Sequence, residues 1–118
     1  MDGGGERERV VRGLDSLLEE GRNARQAIRD NEVLIRQALK EMSKGATVAS
    51  TMGQVDAGFG RQHVKEALDA LAAARHELRL ATILAGLDEG MTIGDLGRSW
   101  GISRQLASRF AKEARGEG

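Results

Sequence analysis

The strongest constraint on this chain is a sustained three-and-four spacing of apolar residues, with no proline anywhere to interrupt it. Val10, Leu14, Leu17, Gly21, Ala24, Ile28, Asn31, Ile35, Ala38 and Met42 follow one another at alternating steps of four and three. Such a run is the a/d seam of a helix that packs lengthwise against other helices. It predicts one long helix from about Glu6 to Ser43, after a frayed start at residues 1–5. Val11, Leu18 and Leu39 widen the seam on one side, and Ala27 and Leu34 on the other. A seam this broad has room for a second helix of the same chain and for a partner. Gly21 within it costs roughly 1 kcal/mol relative to alanine, which calls for a packing reason such as close helix approach. Asn31 either fixes the register of the seam or points at solvent where the seam drifts.

Composition narrows the class. With two Phe, one Trp and no Tyr, a core must be built from Leu, Ile, Val and Ala. Little apart from the glycines opposes helix, so an all-α chain is expected. At 118 residues it forms one domain, or a small module on an extended helical arm. The absence of cysteine excludes disulfide and thiolate chemistry and fits a reducing cytosol. No apolar run approaches the ~20 residues of a membrane span, and the start carries no signal-peptide pattern. A cytoplasmic location with no membrane partner is therefore the expectation. Fourteen arginines against four lysines, with abundant Ala and Gly, match a GC-rich bacterial genome.

Residues 44–60 carry four glycines and break the helical pattern. Val48, Met52, Val55 and Phe59 keep a three/four spacing, which allows a short helical turn, but a flexible hinge between two helices is the expectation. No phosphate-binding GxxxxGK[ST] pattern is present. A second long helix should run from about Arg61 to Asp88, stopped near Gly90. Val64, Leu68, Leu71 and Leu78 share one side of it, while Leu80, Ile83, Leu84 and Leu87 cluster roughly 150° away. A helix that buries one face early and another late joins two packing units. The division expected is residues 1–60, an association arm with its hinge, and residues 61–118, a connecting helix and a C-terminal head.

From Thr92 to Arg115 the chain reads TIGDLGRSWGISRQLASRFAKEAR. Thr92 with Asp95 three residues on is a weaker cousin of the capping box. Ile93, Leu96 and Trp100 give a short helix its buried face. Gly97 and Gly101 stand where two helices come close and where the turn needs a permissive backbone. Ile102 plugs the turn, and Ser103 caps a second helix whose Ala107, Phe110, Ala111 and Ala114 return to the core. Arg104, Gln105, Ser108, Arg109 and Lys112 face outward. Arg and Gln suit bidentate contacts to guanine and adenine edges, while Arg98, Arg109, Lys112 and Arg115 suit phosphates. Thr92, at the start of the supporting helix, completes the expected DNA-contacting set.

The run IGDLGRSWGISRQLASRF resembles the helix-turn-helix of bacterial regulators whose common form is Ile-x-x-Leu-Ala-x-x-x-Gly-Val-Ser-Arg-Gln-x-Ala-x-Arg. It is also similar to the tri-helical units of sigma-factor region 4 and of resolvases. The likeness covers residues 78–115, and Gly97 stands where alanine is usual. The resemblance implies a tri-helical head with residues 103–115 as recognition helix. The N-terminal two-thirds resemble no family.

Other chemistry is thin. His63 and His76 are thirteen residues apart, too far for a helical metal pair, and read as surface or capping residues. Glu8 with Arg12 and Glu32 with Arg36 stand at the spacing of exposed helix pairs. Arg22, Arg29 and Arg36 repeat every seven residues and read as a solvated face, the alternative being a second phosphate-contacting stripe. No nucleophile–base constellation can be assembled, so neither an enzyme nor a cofactor or metal is expected. Net charge is zero, with five basic against three acidic residues from Met91 onward. Affinity for double-stranded DNA would then come from two copies acting together. The expectation is an all-α homodimer, its two long helices forming a hairpin or coiled-coil arm, associating through Leu14, Leu17, Ile28 and Ile35. It would be a sequence-specific DNA-binding regulator. The alternatives are a helical adaptor that binds RNA polymerase or a sigma factor, and a nucleoid or plasmid-maintenance protein.

Overall fold

The computed structural model describes residues 2–116, with side chains from residue 5 onward, and every regular element in that span is a helix. The elements are α1 (Asp2–Ser43), α2 (Val48–Gln54), α3 (Ala57–Asp88), α4 (Ile93–Trp100) and α5 (Arg104–Ala114). The all-α expectation holds. Residues 2–5 belong to α1, not to a frayed start, and Met1 lies outside the described residues. Among the described residues no helix is long and apolar enough to cross a membrane. The chain divides into two compact units, Glu19–Leu71 and Met1–Leu18 with Ala72–Gly118, so α1 and α3 each contribute to both.

In the unit Glu19–Leu71, α1 and α3 meet through small residues. Ala24 and Ala27 are buried, and so is Gly60. A Cβ on Gly60 would run into the Asn31 amide oxygen and lie 2.9 Å from Leu34 Cδ1. The close approach expected at Gly21 therefore occurs at Gly60, and nothing lies within 4 Å of where a Gly21 Cβ would be. Asn31 is half-buried over Gly60 and does not point freely at solvent. On α3 the half-buried side is Val64, Ala67, Ala70 and Leu71, while Leu68 stays exposed. Alanines let the backbones draw together, and a leucine at the margin of so narrow a contact is left outside it.

The glycine-rich segment is not a loose hinge. The Thr47 hydroxyl accepts from the Ser50 N–H at 3.0 Å and starts α2. Asp56 Oδ1 accepts from the Phe59 N–H at 2.8 Å at the start of α3. Side-chain acceptors of this kind satisfy the orphan donors of a helix start. Val55 and Thr51 are buried beneath α2, and the Thr51 hydroxyl donates to Met42 Sδ at 3.4 Å. Of the residues at three/four spacing noted in the sequence, Val48, Met52 and Phe59 face outward and only Val55 turns inward. His63, expected as a surface or capping residue, reaches from α3 to Asp30 of α1 at 3.1 Å and stacks on Phe59. Gln26 and then His63 hydrogen-bond the Asp30 carboxylate and hold it below its ordinary pKa. The Glu8–Arg12 pair forms at 3.8 Å, but Glu32 and Arg36 form none.

In the other unit α3 is buried on opposite sides. Leu78 lies against Gly13 of α1, where a Cβ would stand 3.1 Å from Leu78 Cδ1. Leu80 and Ile83 lie buried on the side away from Leu78, and Gly86, about 80° round the helix from Leu78, meets Leu96 of α4 and Met91, where an added Cβ would fall 2.6 Å from Leu96 Cδ2. Ile83, Leu96 and Ala111 form the buried centre, packed around by Leu87, Met91, Ile93 and Phe110. Three helices thus converge on one small core, and each supplies it with at least one residue.

Candidate nucleic-acid interface

The interface grows out of how α4 and α5 are started and stopped. Thr92 Oγ1 accepts from the Asp95 N–H at 3.0 Å, and Asp95 Oδ2 accepts from the Thr92 N–H at 3.1 Å, a complete capping box. The Thr92 backbone bond, then its hydroxyl, holds the Asp95 carboxyl below its usual pKa, with Arg98 beside it acting the same way. The capped first turn brings Leu96 into the core and Gly97, next in the chain, against the turn.

Gly101 ends α4 in the left-handed region, at φ 67° and ψ 32°, where a side chain would be strained. Its N–H donates to the carbonyls of Arg98 and Gly97. Ile102 N–H follows, donating to Gly97 O at 2.9 Å. Ser103 then starts α5, its Oγ accepting from the Leu106 N–H at 3.0 Å. Only two residues separate the turn glycine from the next helix, so the direction of α5 is set by these bonds and by the burial of Ala107 and Ala111.

With Ala107 and Ala111 inward, helical geometry puts Ser108, Lys112, Gln105 and Arg109 on the opposite side, within an arc of about 100°. Gln105, Arg109 and Lys112 are exposed, Ser108 is half-buried beside them, and Arg104 is exposed in the first turn. None of these five makes a side-chain hydrogen bond or ion pair among the described residues. Arg98 differs: its guanidinium is held by Asp95 at 2.5 Å. Thr92 is likewise engaged in its cap, which sets it apart from the open face of α5. Trp100 is half-buried, not part of the tight core.

Two residues of α3 brace this face: Arg79, which the sequence did not single out, and His76, expected as a surface or capping residue. The Arg79 guanidinium of α3 lies 5.6 Å from the Trp100 ring and 4.9 Å from the Phe110 ring, and so touches both α4 and α5. Its Nε is buried with no hydrogen-bond partner. His76, one turn earlier on α3, bonds Glu113 at 2.8 Å and meets the Phe110 ring edge-on. An arginine amid apolar helix residues gives no sequence signal for such a role, because the contact exists only once three helices have assembled.

Among the proposed association residues, Leu14, Ile28 and Ile35 are exposed and Leu17 is half-buried. Among the described residues no three of His, Asp and Glu converge as a metal site. No family model matches the chain, and neither a curated protein nor a solved structure matches it.

Proposed function

We propose that this chain is a sequence-specific DNA-binding transcriptional regulator that acts as a homodimer. The α4–Gly101–α5 unit serves as a helix-turn-helix, with α5 entering the major groove. The observation that carries the reading is the outward face of α5. Gln105, Ser108, Arg109 and Lys112 stand together opposite the buried alanines of a capped helix, with Arg104 exposed in its first turn, and none of the five has a side-chain partner among the described residues. Polar side chains near the N-terminus of such a helix are the ones that reach base edges, and Arg and Gln are the types that read them bidentately. Lys112 and Arg109, further along, supply phosphate contacts.

The dimer part follows from affinity. One small head with a modest basic excess binds weakly, and two heads on half-sites about 34 Å apart multiply that affinity. Leu14, Ile28 and Ile35 leave apolar surface on α1 for the second copy. The reading is tested by salt-dependent binding to duplexes selected from a random pool, with Arg104→Ala as the diagnostic variant. The net charge of zero favours a second reading, in which the head contacts RNA polymerase or a sigma factor. A verified dimer that fails to bind any duplex at low salt would select it.

A further inference from the structure

Within the unit Glu19–Leu71, one side of α1 is left mostly exposed and has a reciprocal pattern. Gly21, Ile28, Ile35 and Met42 recur every seven residues, and so do Arg25, Glu32 and Leu39, all within an arc of about 100°. Ile28 is 42 % exposed, Ile35 51 %, Leu39 63 % and Met42 43 %. Arg25 and Glu32 are exposed and form no ion pair among the described residues. About Ile28, Arg25 stands three residues before and Glu32 four after. Gly21, with open space where its side chain would be, stands seven before, and the bulky Ile35 seven after.

Resting on the homodimer reading, we infer that α1 pairs antiparallel with α1 of a second copy, about a two-fold axis at Ile28. A two-fold interface must be self-complementary, with residue i meeting j and j meeting i. The antiparallel sense brings Arg25 near the partner's Glu32 and seats Ile35 over the partner's Gly21, twice each. A parallel pair would set Arg25 against Arg25 and Glu32 against Glu32, and would leave Gly21 facing Gly21. Like charges across a helical seam disfavour that arrangement. The helix-breaking cost of Gly21 thereby acquires a packing reason that the single chain does not provide.

The absence of cysteine gives a clean background for the test. Light scattering first fixes the mass of the unaltered protein; a monomer overturns both the homodimer reading and this inference. In a dimer, a short thiol crosslinker should join Ile28→Cys to itself. Gly21→Cys and Ile35→Cys should each fail alone and crosslink when mixed, because antiparallel helices put like positions seven residues from the axis about 21 Å apart. Self-crosslinking of Gly21→Cys in a folded dimer, or no crosslink at any of these positions, would overturn the inference and leave the homodimer standing. Arg25→Glu should weaken association about tenfold, and adding Glu32→Arg to the same chain should restore it. Failure of that restoration also counts against the antiparallel sense.

Discussion

Ile102 and Gly97 are joined by one hydrogen bond across the turn and leave no slack there. The Ile102 N–H donates to the Gly97 carbonyl at 2.9 Å, and the Ile102 carbonyl oxygen stands 3.0 Å from where a Gly97 Cβ would be. Alanine at residue 97 gains roughly 1 kcal/mol of helix propensity, but Ile102 must move by a few tenths of an ångström. These terms nearly offset, so Gly97→Ala should fall within about 1 kcal/mol of wild type. Gly97→Val adds atoms that a buried turn cannot accept, and should cost roughly 2–3 kcal/mol. Chemical denaturation of the three proteins checks the order; equal stability of the valine variant would show that the turn is loose.

Arg79 should matter more than an ordinary half-exposed arginine. Its guanidinium spans Trp100 of α4 and Phe110 of α5. Removing it with Arg79→Ala should cost about 1–2 kcal/mol through lost cation–π contact and packing. Arg79→Lys should recover less than half, because an ammonium cannot lie flat against two rings. Trp100 is the only tryptophan, so its fluorescence reports this contact directly. An unshifted emission spectrum in Arg79→Ala would contradict the placement.

The Asp95 cap carries a pH dependence of definite sign. Its folded pKa lies below the ordinary carboxylate value, chiefly because the Thr92 N–H donates to the charged form. Its contribution to stability is complete above the unfolded value of about 4 and is lost as the pH falls through the lower folded value. Asp95→Asn should flatten the acid side of the stability profile and leave the neutral-to-alkaline side parallel to wild type. Circular dichroism melts between pH 2 and pH 7 would reveal it. Identical acid slopes would remove Asp95 from the account.

The sequence made the helix count nearly legible and the contacts much less so. Unbroken heptad spacing located α1, and Thr92, Gly101 and Ser103 located the ends of α4 and α5 almost to the residue, because caps and left-handed turns have few chemical solutions. α2 was only half legible: a short helical turn was allowed by spacing, but the four glycines of residues 44–60 read as a hinge, although Thr47 was there to start α2 and Asp56 to start α3. Leu68 looked like core and is exposed, since the packing on α3 is done by alanines that leave little periodic signal. Gly21 drew attention that belonged to Gly60 and Gly86, for a sequence shows that a helix contains a glycine but not what faces it. The α5 face was legible residue by residue, whereas Arg79 and His76, which brace it, depend on tertiary contacts.

The DNA-binding proposal is tested most directly by measuring, for wild type and Arg104→Ala, the affinity for a selected duplex and for scrambled duplexes of the same length across a salt series. Wild type should prefer the selected site, and its affinity should fall steeply with salt on every duplex. Arg104→Ala should lose about 1–3 kcal/mol of discrimination at one base pair while keeping most of its nonspecific binding. Equal weakening of the variant on every duplex would contradict base reading by Arg104. Absence of binding by a verified dimer at low salt would contradict the DNA-binding account as a whole.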